Sequence, residues 1–428
     1  MRALETRAHT GYNSIFVMFL LLLLTLAFCP AGVTANSRNT KVSAQSKQDI
    51  LSAEHPEEAY RLFQQHYQDK RVLLSSADPT TRARIAAAKK NNFMASLNIA
   101  KLHNRKFERG ESSYKMTVNA FSSMSSQEKS RYLGVVNATG LRPDHTAGAG
   151  ASYPSSLSWD QQGYVSPVVH QGECGSCWTY PTVALLEFAL ASVSGTLTPL
   201  SNQEMLDCVY EEERWDGCEG GWYNEAWDYL LETQHLATLA QYPYTGTDGT
   251  CSYRRYTNAL QGKVRLTGYV EVSPGEGNVM RAIQLMPLAV AFYAQDELML
   301  FDEGMYDGCD HGWIYPNHAA LLTGYGTTYW EIKNSWGLDW GDNGYGKFHR
   351  SRGNNLCLLM DYAKYITFDN LENLSPCSAG YYQTESTGAD SQEPIEATGT
   401  CEMCPANTYS YAGGACIPCP GCGECKAA

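Results

Sequence analysis

The longest apolar run in the chain, Ile15 to Ala27 (IFVMFLLLLLTLA), follows Arg2 and Arg7 and precedes Val33-Thr34-Ala35, the small-residue spacing of a signal-peptidase site. It is short of the roughly 20 residues that a membrane-spanning helix needs, so a leader cleaved after Ala35 is expected rather than a retained anchor. Between Glu57 and His103 the stretches EEAYRLFQQHYQDKRVLL and TRARIAAAKKNNFMASLNIAKLHN are rich in Ala, Lys, Arg and Leu, which predicts a separate helical unit. A helix is predicted again over Trp178 to Ser192. Later runs read as strands: LAVAFYA from Leu288, HAALLTGYG from His318, YWEIKNSW from Tyr329 and YGKFHR from Tyr345. This order predicts an α+β fold. Beyond Asp369 aliphatic residues give way to Cys, Gly, Pro, Ser and Thr, so disulfides rather than a packed core must hold that segment.

The chain has 428 residues, more than one typical domain. The pattern divides it into a leader (1–35), a helical unit (36–151), a central block (152–369) and a cysteine-rich tail (370–428). Thr146-Ala-Gly-Ala-Gly-Ala-Ser152 has the composition of an exposed linker open to proteolysis. A formal net charge of −13, with scattered Lys and Arg, argues against a nucleic-acid partner. Export makes disulfides the default for the fifteen cysteines. Cys29 leaves with the leader, seven cysteines lie between Cys174 and Cys357, and seven between Cys377 and Cys425. One free thiol in the central group would leave six for three bridges. Asn137-Ala-Thr139 and Asn373-Leu-Ser375 are glycosylation sequons on either side of the central block.

The densest chemical signal is Gln171-Gly172-Glu173-Cys174-Gly175-Ser176-Cys177-Trp178, directly ahead of the predicted helix. A thiol at a helix start feels the positive end of the macrodipole, and a nearby imidazolium lowers its pKa further, giving a reactive thiolate. A C-x-x-C pair alone is equally a zinc site, a redox dithiol or a disulfide. The company it keeps favours a nucleophile at Cys177. His318 opens an apolar strand 141 positions downstream, and Asn334 follows in Tyr329-Trp-Glu-Ile-Lys-Asn-Ser-Trp-Gly337. An amide oxygen such as that of Asn334 can accept a hydrogen bond from one imidazole nitrogen while the other faces the thiol. Trp336 would shield that bond from water.

These motifs resemble the papain family of cysteine peptidases, closest to its cathepsin L-like branch, over about 215 residues. The resemblance implies a left helical domain carrying Cys177 on its long helix and a right β-rich domain carrying His318 and Asn334. It implies that Gln171 and the Cys177 N–H form the oxyanion hole, each such donor contributing about 3 kcal/mol. Gly220 and Gly221 match the glycine pair whose backbone takes an extended substrate as an added strand; read alone, Cys218-Glu-Gly-Gly221 is equally a turn. Trp222, Tyr223, Ala291, Pro316, Ala319 and Tyr362 match the second-subsite pocket, implying a hydrophobic or aromatic residue there. Trp336 is grouped with the substrate-binding residues. The family's bridges map onto Cys174 with Cys218, Cys208 with Cys251, and Cys309 with Cys357. No surplus length for an occluding loop lies between Cys218 and His318, which implies internal cleavage. Two departures stand out: Thr179-Tyr180-Pro181 after Trp178, and Pro181 in the first helical turn.

The helical unit resembles the family's inhibitory prosegment. Phe93 and Asn104 fit its helix motif, with Lys89, Ser96 and Ala100 replacing the usual Arg, Asn and Ile; Asn119 and Phe121 fit a second motif in which Ser123 replaces an Asp. The implied partners are polypeptide substrates and the chain's own prosegment as inhibitor, with altered pH control of its release. No cofactor and no metal are expected. The tail resembles short disulfide modules of extracellular proteins and could engage a protein partner, zinc being its alternative. The rival reading of the whole chain is a catalytically idle scaffold that binds through the tail, although neither the nucleophile nor the His is lost. The implied destination is the secretory pathway, lysosome or vacuole, or the exterior.

Overall fold

The computed structural model describes residues 41–67, 78–136, 153–209, 217–309, 315–350 and 356–369, together with the backbone of four short tail strands. The leader, the 146–152 linker and both sequons lie outside the described residues.

The prosegment is built on α1 (Ala44–Ser52), α2 (Pro56–Tyr67) and α3 (Pro79–Glu108). α3 starts where Asp78 accepts hydrogen bonds from the Thr80 and Thr81 N–H groups with Pro79 at the first helical position, and Arg105 and Lys106 suit its C-terminal end. Phe63 of α2 packs on Phe93 of α3 with ring centroids 4.4 Å apart, and Ile50, Ala59, Leu97 and Val118 complete a small core. Truncating a fully buried ring such as Phe93 typically costs about 3–5 kcal/mol. The motif residue Asn104 works through its amide, which donates to the Met116 carbonyl and accepts from the Met116 N–H, both at 2.9 Å.

That bond holds β1 (Tyr114–Met116), through which the helical unit reaches the main sheet. β1 is an edge strand of the main sheet, whose order is β1-β5-β8-β7-β6-β4-β9-β3. The other members are β3 (Leu266–Glu271), β4 (Leu288–Phe292), β5 (Phe301–Tyr306), β6 (His318–Tyr325), β7 (Tyr329–Lys333), β8 (Tyr345–His349) and β9 (Lys364–Phe368), with β2 (Leu157–Ser158) pairing off the path onto β6. β4 and β6 are buried throughout, which is why they read as unbroken apolar runs. α4 (Ser126–Ser130) closes the prosegment with a capping box between Ser125 and Glu128.

Three helices sit beside the sheet: α5 (Thr179–Ser194), α6 (Asn202–Cys208) and α7 (Tyr223–Thr233), with α8 (Glu276–Ala282) following. α5 is apolar nearly all round and buried over most of its length, packing on β4, β6 and α7. The observed class is therefore α+β. Disulfides join Cys174 to Cys218, Cys208 to Cys251 and Cys309 to Cys357. In the tail, backbone pairing links Tyr381–Gln383 to Cys401–Met403 and Thr408–Tyr409 to Ile417–Pro418.

Candidate active site

Cys177 is fully buried and is the free thiol among the described cysteines. It lies in a 3-10 turn, Ser176–Trp178, that runs into α5 one residue later, rather than on the helix itself. Pro181 explains the tightened entry: it has no N–H to give to the Cys177 carbonyl, and the Thr179 N–H reaches back to the Ser176 and Cys177 carbonyls instead. The disulfide from Cys174 fixes this turn to Cys218, and so to the Gly220–Gly221 turn.

His318 begins β6 and Asn334 directly follows β7, its antiparallel neighbour, so the sheet itself brings them together. His318 Nε2 donates to Asn334 Oδ1 at 2.8 Å, and the Ser335 N–H donates to the same oxygen. Trp336 covers the pair, its ring 4.5 Å from the imidazole centroid. The other ring nitrogen, Nδ1, is buried, and the Tyr132 backbone interacts with the ring. On the opposite side the Cys177 sulfur is faced by the backbone N–H of Ala319, the residue after His318.

Gln171 is fully buried and clamped: the Ser335 hydroxyl donates to its Oε1 at 2.6 Å, and its N–H donates to the Ser335 carbonyl. Its Nε2 donates to the Cys174 carbonyl at 2.8 Å and to the Tyr132 carbonyl at 3.1 Å. Tyr132 follows α4, and the residues after it cross the site. The Gly134 N–H points at the Cys177 sulfur at 3.2 Å, the Gly134 carbonyl accepts from the Gly221 N–H at 2.8 Å, and Val135 pairs with Gly221 in parallel and donates to the Asn317 carbonyl. Gly134 must be glycine, because a Cβ there would lie 1.7 Å from the Gly175 carbonyl oxygen. The sequence singled out neither Tyr132 nor Gly134; the glycine amid apolar residues in LGVV was the available signal.

Burial by this cover sets the protonation of the pair. The Cys177 thiol is pushed up to about 11 by desolvation, against the pull of N–H groups from Ala319, Gly134, Trp178 and Cys177 itself. His318 is pushed down to about 4 by the same burial, opposed by Asn334 and the Tyr132 backbone. Both shifts favour the uncharged thiol and the neutral ring over the expected thiolate–imidazolium pair.

The residues expected at the second subsite fall into two groups. Trp222 stacks on Tyr223 at 3.9 Å and meets Tyr362 edge-on at 5.9 Å, and the Tyr223 hydroxyl donates to the Tyr362 carbonyl. Lys364, paired with Glu271, lies over the rings of Trp222 and Tyr223. Ala291 and Ala319 oppose each other across β4 and β6, with Pro316 buried just before β6.

A family model described as papain family cysteine protease matches residues 153–367, and one described as cathepsin propeptide inhibitor domain matches residues 80–128. Among curated proteins, cathepsin J of Rattus norvegicus is 34% identical over 281 residues, covering 63% of this chain and 82% of its own. The oryzain gamma chain of Oryza sativa subsp. japonica is 36% identical over 263 residues, covering 59% and 71%. The solved structure of digestive procathepsin L 3 from Tenebrio molitor larval midgut aligns at a TM-score of 0.60 and 29% identity, over 74% of this chain and 100% of its own.

Proposed function

The chain belongs to the papain family of cysteine proteases and carries the cathepsin-type propeptide inhibitor domain, and from that premise we propose residue roles for a cysteine endopeptidase made as a zymogen. Cys177 is the nucleophile, His318 the general base and acid, Asn334 the residue that orients the ring, and Gln171 with the Cys177 N–H the oxyanion donors. With the prosegment gone, His318 Nδ1 takes the thiol proton and the sulfur attacks the scissile carbonyl. The oxyanion gathers hydrogen bonds from Gln171 Nε2 and the Cys177 N–H. His318 then protonates the departing amine, leaving a thioester. Water, deprotonated by the same ring, attacks the thioester, the acid product leaves and Cys177 is regenerated.

The observation that carries this reading is the prosegment backbone in the site. The Tyr132 carbonyl accepts from Gln171 where an oxyanion would form, and Gly134 touches both the sulfur and Gly221, as a peptide held over the nucleophile would. An epoxide that alkylates thiols tests it. In the trimmed protein it should label Cys177 stoichiometrically and abolish peptide cleavage, and Cys177→Ala should lose both labelling and activity. Undiminished cleavage by Cys177→Ala would overturn the assignment.

Further readings share this frame. The apolar Trp222, Tyr223, Ala291, Pro316, Ala319 and Tyr362 support a hydrophobic or aromatic preference at the second subsite. The boundaries are those of a leader to 35, an inhibitory prosegment to 151, a catalytic domain to 369 and a tail that engages a protein partner. The leader, the bridges and the sequons at Asn137 and Asn373 support glycosylation and passage through the secretory pathway to a lysosome, a vacuole or the exterior.

A further inference from the structure

The prosegment meets the catalytic domain a second time, away from Cys177, along β5. In the sheet β5 has β8 on one side and β1 on the other, so removal of the prosegment leaves β5 as an open edge. β1 and its flanks use that edge closely. The Met305 N–H donates to the Ser113 carbonyl at 2.9 Å, the Ser113 hydroxyl donates to the Met305 carbonyl at 2.6 Å, and the Thr117 N–H donates to the Leu300 carbonyl at 2.8 Å. Gly304 permits the approach, since a Cβ there would lie 2.5 Å from the Ser113 oxygen.

Side chains add selectivity to these main-chain bonds. Tyr114 is buried against Tyr306 and Phe301, with ring centroids at 4.9 and 6.0 Å. Lys115 Nζ pairs with Glu303 at 2.7 Å, and Met116 is buried. Nearby, Lys47 of α1 pairs with Asp339 at 3.1 Å, and Asp302 lies in the field of both Lys47 and Lys115. The catalytic domain thus offers an aromatic slot, a strand edge and the carboxylates Asp302, Glu303 and Asp339 to a partner that answers with lysines. None of this covers the thiol, which Tyr132 to Val135 already do.

We propose that in the trimmed enzyme this face is an exosite for substrate: it takes an extended polypeptide segment with the order aromatic, lysine, apolar, which pairs with β5 as Tyr114-Lys115-Met116 does in the zymogen. An added strand satisfies the open edge, and alternate side chains enter the slot while the lysine meets Glu303. Protein substrates carrying such a segment gain from the contact; short peptides confined to the cleft do not. The inference rests on the reading of the chain as a peptidase with a removable prosegment.

The test uses full chain that has been trimmed and then alkylated at Cys177. A fluorescent peptide of the 112–118 sequence, SSYKMTV, should bind saturably, and the same peptide with Lys replaced by Glu should bind about fivefold or more weakly. Glu303→Lys should reverse that order. In unalkylated enzyme, Glu303→Lys should lower kcat/KM for a protein substrate bearing the segment about fivefold and leave a short fluorogenic peptide unaffected. Absence of saturable binding, or indifference to both charge reversals, would overturn the exosite. A trimmed wild-type enzyme unable to cut the short peptide would instead bring down the peptidase reading and the exosite with it.

Discussion

At the scale of single residues, Cys177, His318, Asn334 and Gln171 stand out in the sequence because chemistry restricts residue type and spacing, and the sheet register brings the His and the Asn together. Their charge was not legible, since it depends on how deeply both groups are buried. This has a pH consequence. Burial lowers His318 from 6.5 to about 4, and whatever part of that shift the cover supplies leaves the covered state fully stable above 6.5 and less so as pH falls towards 4, because uncovering binds a proton. Burial raises Cys177 from 9.0 to about 11, and the cover's share of that shift weakens the covered state only above 9. Conversion of the zymogen should therefore be slow and nearly flat between pH 7 and 8. It should accelerate by up to about tenfold per pH unit between 6.5 and 4. The check is to digest the inactive His318→Gln chain with a trace of active enzyme at each pH; a prosegment cleaved with unchanged steepness would show that another group governs uncovering.

Among elements, the runs that became β4, β6, β7 and β8 were readable because both packing and period are written into them. α1 was not. AQSKQDILS is polar nearly throughout, and it is fixed by docking: Ile50 enters the small prosegment core, while Lys47 donates to the Asp339 carbonyl at 2.8 Å. The 3-10 entry to α5 was likewise hidden, because it depends on how the turn meets Pro181. The segment over Cys177 depends on close approach, which makes Gly134→Ala informative. The added methyl must displace backbone at Gly175, and overpacking of this kind costs about 1–3 kcal/mol. The variant zymogen should cleave a short peptide at least fivefold faster than the parent before any trimming; equal latency would mean that the segment can shift without loss.

Across the whole molecule, the helix that follows Cys177 and the strand that leads to Asn334 are tied by a buried polar chain. The Ser166 hydroxyl donates to Glu187 of α5 at 2.5 Å, and Lys333 of β7 donates to the Ser166 carbonyl and hydroxyl at 2.7 and 2.9 Å. Burial holds Glu187 above and Lys333 below their usual ranges, each partly offset by the other. Lys333→Met would leave Glu187 with only the Ser166 hydroxyl and the Leu200 N–H, and the Ser166 carbonyl without its donor, at a cost of about 1–3 kcal/mol. Its midpoint for thermal unfolding should drop by several degrees, and adding Glu187→Gln should recover part of the loss. Additive losses in the double variant would mean that the groups act separately. Sequence alone hinted at neither partner, because Glu187 sits in an otherwise apolar helix and only the packing of α5 on the sheet explains it.

The prosegment's passage across the sulfur also bears on how such a chain survives its own oxidation. The surroundings that allow Cys174 and Cys218 to bridge would equally let a thiol three residues from Cys174 swap partners with them, and exchange proceeds through the thiolate. With that sulfur buried beneath the segment and its pKa raised, exchange with the Cys174–Cys218 bridge is disfavoured for as long as the segment stays in place.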